Sequence, residues 1–133
     1  MQYIDKNLIE DLYLDALESP RKRAHFLLHK SHQEKVQRLL IGFIKGSYVE
    51  PHFHELPHQW EMFFVLQGKL KLTILDHYGN ALKTDIIGDD TPISAVEIQP
   101  NEVHSLECVS DRALLLEIKE GPFDSNFAKK FVD

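Results

Sequence analysis

GSYVEPHFHELPHQWEMFFVLQG, residues Gly46–Gly68, decides how the rest of the chain is read. His52 and His54 flank a single phenylalanine, Glu61 follows, and Gly68 closes the stretch. Side chains alternate faces along an extended strand, so His52 and His54 point the same way. Two imidazoles on one strand face and a carboxylate from the next strand make most of a divalent-metal site. A fourth ligand must come from elsewhere, and His104, in EIQPNEVHSL, is the obvious candidate.

The punctuation around this stretch predicts an all-β domain behind one helix. Asn7–Glu18 reads as a helix, with capping-box spacing between Asn7 and Glu10. Its apolar stripe is Leu8, Ile9, Leu12, Tyr13, Ala16 and Leu17. Ser19-Pro20 ends it, because the residue before a proline avoids helical geometry. The period then changes to two. Strands are expected at 24–29, 36–45, 61–67, 69–75, 81–87, 93–98, 103–109 and 113–119, separated by turn signals such as DHYGN and GDDTP. Short strands with no second helix among them indicate an antiparallel barrel or sandwich. A short final helix is expected after Ser125.

The spacing of Gly46, His52, His54, Glu61 and Gly68 resembles the first motif of the cupin superfamily, with a gap before Glu61 that is longer than usual. In the second motif, Gln99, Asn101 and Cys108 stand at the places where cupins usually carry proline, glycine and asparagine, and His104 is at the histidine place. Asn tolerates a positive φ better than most residues, so a tight turn at Asn101 is expected. SPRKRAHFLLH, VQRLLIGFIKGSYVEPHFH, WEMFFVLQGKL and LLLEIKEGPFD together resemble the WbuC family of cupin-fold metalloproteins over nearly the whole chain. The resemblance implies an antiparallel cupin β-barrel (a jelly roll) with an N-terminal α-helix. It implies one domain, with residues 1–20 as the helix, 21–124 as the barrel and 125–133 as a tail. It also implies a link to bacterial O-antigen and surface-polysaccharide biosynthesis, but no particular reaction.

Composition sets the remaining limits. A chain of 133 residues suits one core, and its 43% apolar share is ordinary for a globular protein. The net charge of −6 argues against a nucleic-acid partner. The cluster Arg21-Lys22-Arg23 is too short to reverse that, though it could meet a small anion. Cys108 is the only cysteine, so no internal disulfide can form. MQYIDKNLIEDLYLD lacks the basic start and apolar run of a signal peptide, and no stretch approaches the roughly 20 apolar residues of a membrane span. The expectation is a cytoplasmic protein with no membrane partner.

His52, His54, Glu61 and His104 are therefore the expected ligands of one divalent ion, which Zn, Fe, Mn or Ni could supply. His58 competes, but Pro57 argues against the helix that would pair it with His54. Arg21, Arg23, His25 and His29 share a parity. Arg23 and His29 are expected in a polar pocket beside the metal, and Arg21 and His25 on a solvated edge face. His32 and His77 are expected in exposed turns. Phe63 should back the pocket, and Val65 and Gln67 share its parity. Cys108 would join the pocket by parity with His104, although a buried free cysteine more often packs as a small apolar residue. Glu117 and Lys119 either close the base of the pocket or form an ordinary strand ion pair. No residue stands out as a catalytic acid or base.

Two functions fit. One is a metal-dependent enzyme acting on a small polar ligand such as a sugar or sugar nucleotide, with an oxygen-dependent Fe(II) variant of it. The other is a non-catalytic module that uses the metal to anchor a ligand or hold the barrel. Phe53, Met62 and Phe64, of parity opposite to the ligands, predict an apolar outer patch and a homodimer.

Overall fold

The computed structural model describes residues 1–132; Asp133, the last residue of the expected tail, lies outside them. Helix α1 spans Lys6–Glu18. Its N-cap is Asp5 rather than Asn7: the Asp5 side chain accepts the Leu8 N–H at 3.0 Å. Glu10, expected in a capping box, instead receives both terminal nitrogens of Arg112 at 2.7 and 2.8 Å. Arg112 also stacks over the Tyr13 ring, 4.3 Å from its centroid.

Among the described residues ten strands follow the helix: β1 Arg23–Leu27, β2 Val36–Ile44, β3 Tyr48–Phe53, β4 Glu61–Gln67, β5 Lys69–Leu75, β6 Ala81–Gly88, β7 Ala95–Ile98, β8 Val103–Cys108, β9 Arg112–Glu120 and β10 Lys130–Phe131. They form two five-stranded sheets, ordered β1-β2-β9-β4-β7 and β10-β3-β8-β5-β6. All the pairings are antiparallel. The expected barrel is thus present, with its strands near their expected bounds. The sequence reading missed β10, a two-residue strand on the edge of β3, and the helix expected after Ser125 is a single 3-10 turn at Ser125–Phe127.

The inner faces of the two sheets bury one apolar core, including Ile41, Phe43, Phe63, Leu70, Leu72, Leu106 and Leu115. Helix α1 covers the outer face of β1 and β2 with a second cluster of Leu12, Tyr13, Leu40 and Leu114. The helix can approach closely because β2 carries Gly42 there: a Cβ on Gly42 would lie 3.1 Å from Leu12 Cγ. The apolar stripe ends at Ala16, and Leu17 is exposed.

Two bulges set which side chains enter the barrel. Between Val65 and Gln67 the register of β4 against β9 slips by one residue. Gln67 therefore leaves the inner face that its parity assigned to it, and accepts the Tyr13 hydroxyl at 2.8 Å on the helix side. A second slip lies between Val49 and His52 in β3, around Pro51. Proline has no N–H to give the ladder and is tolerated at such a break. Val49 and His52 differ in parity, yet the bulge turns both inward.

Candidate metal centre

β3 and the residue that follows it, β4 and β8 bring the four expected ligands together at one end of the barrel. His52 lies directly across the ladder from His104, with ring centroids 4.4 Å apart. His54 follows on the same face as His52, 5.4 Å away. Glu61 starts β4 on the opposite sheet, after a loop closed by Leu56 and Gln59, which exchange hydrogen bonds at 2.9 Å. Gly68 turns β4 back into β5 at φ 75°, and a Cβ there would lie 2.2 Å from the Arg112 carbonyl oxygen, so only glycine fits. Asn101 takes the left-handed turn expected of it, with φ 70°, and its N–H donates to the His54 carbonyl at 2.7 Å. That bond ties the two motifs together.

One ligand atom from each of His52, His54, Glu61 and His104 lies within 4.8 Å of the others. Backbone contacts fix which ring atoms face the centre. His52 Nδ1 lies 2.8 Å from the Glu50 carbonyl, and His104 Nδ1 lies 2.9 Å from the Glu102 carbonyl. A carbonyl oxygen only accepts, so each Nδ1 carries the hydrogen and each neutral ring turns an Nε2 lone pair inward. His54 Nε2, His104 Nε2 and Glu61 Oε1 are buried with no hydrogen-bond partner. Glu61 Oε1 lies 2.9 Å from His54 Nε2 and 3.3 Å from His104 Nε2. Orphaned buried groups cost about 1–3 kcal/mol each. Lone pairs converging on one point are satisfied by a cation, so the residues fit a divalent ion.

Charges in the centre are strongly coupled. Burial raises the Glu61 carboxyl, but His104 and His54 beside it outweigh that and hold it well below the usual carboxylate range. For His104, burial opposes the charge and Glu61 overrides it, so the net shift is upward. His52 is lowered to about 4, chiefly by burial and then by His104, and is neutral at neutral pH, as a metal ligand must be.

The centre opens into a cavity of about 370 Å³ between the two sheets. Arg23, His29 and Phe63 line it. Arg21, just before β1, and His25, on β1, line its mouth too; both stay exposed, and β1 is the edge strand of its sheet. His25 is accessible from that mouth yet walled in on its inner side. The burial there, followed by the charges of Arg21, Arg23, Lys119 and Lys129, lowers it to about 4. His32 also lines the cavity, its ring 4.9 Å from Phe123.

Glu117 and Lys119 both line the cavity and pair with each other at 3.6 Å. Cys108 does not reach it. Cys108 is 1% exposed within the apolar core, and its thiol donates to the Ser110 carbonyl, which leaves it a packing residue. His58 stands outside the four-ligand cluster and lines a small neighbouring cavity with Trp60 and Pro122. His77 is exposed and bonds the Asn101 carbonyl at 2.9 Å. Sequence reasoning missed Gln37, Phe123 and Lys129 as lining residues. The alternation of β2 could have placed Gln37, whereas the tail carries no periodic signal for Lys129.

One family model, described as "Domain of unknown function (DUF6016)", matches residues 4–87. The chain belongs to the DUF6016 family. No curated protein matches it. Among solved structures, this DUF6016 chain is similar to the capsular polysaccharide assembling protein CapF from Staphylococcus aureus. That match has a TM-score of 0.71 and 19% identity, covering 86% of this chain and 33% of CapF. Oxalate decarboxylase from Bacillus subtilis matches with a TM-score of 0.60 and 19% identity, over 83% of this chain and 27% of that one. A cupin superfamily protein from Desulfitobacterium hafniense matches with a TM-score of 0.56 and 18% identity, over 74% and 76% respectively. The DUF6016 chain thus spans 33% of CapF and 27% of the decarboxylase. The likenesses show the fold, a cupin β-barrel with an N-terminal helix. Among the described residues, no helix is long and apolar enough to cross a membrane.

Proposed function

We propose that this protein is a metal-binding cupin that holds one divalent ion on His52, His54, Glu61 and His104 and presents it to a small polar ligand in the cavity. The observation that carries this reading is the convergence of the four ligand atoms, three of the side chains having a buried atom with no other partner. When bound, the ion would supply Lewis acidity toward a carbonyl or adjacent hydroxyls. The chain's own residues do the rest: the Glu50 and Glu102 carbonyls orient two imidazoles, Phe63 keeps one wall dry, and Arg23 and His29 offer donors to the ligand.

A sugar or sugar nucleotide of surface-polysaccharide metabolism is the proposed ligand class. The resemblance to the WbuC family, on the four segments quoted above, and the description of CapF as a capsular polysaccharide assembling protein support it. Cytoplasmic location belongs to the same proposal, as does a single-domain organisation of helix, barrel and tail. The open cavity favours a ligand-accessible ion over a purely structural one.

We also propose a homodimer. Its expected patch is split, because Phe53 lies on the sheet opposite Met62 and Phe64 and packs against His77 with ring centroids 4.7 Å apart. The remaining face is Met62, Phe64 and the exposed Leu66. Sedimentation showing a monomer at micromolar concentration would remove the dimer.

The metal reading is tested by elemental analysis of His52→Ala, His104→Ala and His58→Ala. The first two should lose stoichiometric metal while remaining folded, and the third should keep it. Retention by the first two, or loss by the third, would overturn the assignment.

A further inference from the structure

The cavity mouth carries positive charge that the chain as a whole does not. Net charge is −6, yet Arg21, Arg23, Lys119 and Lys129 all line this one cavity. They come from separate places: the turn before β1, β1 itself, β9, and the residue preceding β10. Among the described residues, Arg21, Arg23 and Lys129 form no ion pair. Arg23 makes one hydrogen bond, Nη1 to the Tyr48 carbonyl at 3.2 Å, and has further donors to give.

The cations also disfavour one another. Burial and then Arg21 lower Arg23; burial and then Arg23 and Arg21 lower Lys129. Like charges brought together without a partner cost free energy unless an anion joins them.

His29 adds an imidazole to the same wall. His29 Nδ1 lies 2.9 Å from the Arg38 carbonyl oxygen and 3.0 Å from the Arg38 N–H, which fixes the ring on the cavity wall. The mouth is therefore rich in donors, and its floor is the four-ligand centre.

We propose that the cavity takes a small sugar-sized oxyanion, its phosphate or carboxylate held by Arg23 and Lys129 and its hydroxyls turned toward the metal centre. The proposal rests on the metal-binding reading and narrows its ligand to an anionic one. The cavity, about 370 Å³, is at the small end of ligand pockets and suits a single sugar ring with one charged group.

The test is calorimetric titration of the Zn-loaded chain with inorganic phosphate, glucuronate and glucose. At least one anion should bind saturably and at least about tenfold more tightly than glucose, since charge-assisted hydrogen bonds are the strong ones. Saturable phosphate binding alone identifies a phosphate ligand, and glucuronate alone a carboxylate. Arg23→Gln and Lys129→Gln should each weaken that binding by about tenfold. Lys83→Gln, at an exposed site on β6, should leave it unchanged. Failure of both anions to bind, glucose binding as tightly as they do, or wild-type affinity in both variants overturns the proposal. Metal content and a parallel titration after chelation separate the two readings. A chain that holds metal but prefers no anion refutes this inference alone. A chain that holds no metal, yet still selects anions through Arg23 and Lys129, refutes the metal reading alone.

Discussion

Replacing Glu117 with glutamine should stabilise the metal-free protein, and only at the alkaline end of its range. Glu117 is 8% exposed, lies inside the cavity opposite Phe63 in the β4–β9 ladder, and has Lys119 at 3.6 Å. Burial, and then the nearby charge of Glu61, push its carboxyl from 4.5 up to about 8. The unfolded chain releases that proton near 4.5, while the folded chain holds it until about 8. Between those values the folded state binds more protons than the unfolded one, so Glu117 makes stability fall as pH rises. The full displacement corresponds to about 5 kcal/mol at 1.36 kcal/mol per pH unit, reached at pH 8 and absent below pH 4.5. Glutamine keeps the shape of the protonated acid and has no proton to lose. His52, lowered by burial, contributes an opposite slope between about 4 and 6.5, but it is present in both proteins and cancels in the comparison. Thermal melts of the chelated proteins followed by circular dichroism should show Tm rising by more than about 5 °C at pH 8, and by no more than about 2 °C at pH 5. An equal gain at both pH values, or a loss at pH 8, would refute the reasoning.

Other expectations follow from single residues. Gly68→Ala should destabilise the fold by at least about 2 kcal/mol, because it combines a positive φ with a Cβ 2.2 Å from the Arg112 carbonyl oxygen; denaturant unfolding measures it, and a neutral result would contradict the turn geometry. Cys108→Ala should leave metal content unchanged, and the native thiol should resist alkylation, since burial also raises its pKa; rapid labelling of the folded chain would place the thiol at the cavity instead.

Local periodicity carried most of the fold. The bounds of β4 and β5 were legible because the apolar run MFFVL and the alternating KLKLTIL meet at Gly68 and end at DHYGN. Metal-ligand spacing carried the centre, since His52, His54 and Glu61 lie within one hairpin-like stretch and His104 follows a turn that Asn101 can make. What was illegible depended on register. The bulge at Leu66 sends Gln67 out to Tyr13, and no parity rule shows where a strand will slip. Parity says which face Arg21 and His25 take, and they are exposed on it, but it does not show that this face borders a cavity. Asp5, not Asn7, caps the helix by accepting the Leu8 N–H, and Glu10 pairs instead with Arg112, 102 residues away, which local spacing cannot show. Lys129 arrives on a tail whose two-residue strand leaves no pattern.

The central claim is one ion on three imidazoles and one carboxylate, and element-specific anomalous diffraction from crystals of the zinc-loaded chain tests it most directly. The account predicts one anomalous peak per chain, bonded to His52, His54, Glu61 and His104 at roughly 2.0–2.2 Å, on the cavity side of the barrel. No peak between these residues, or a peak held by His58 in place of a motif histidine, would contradict it.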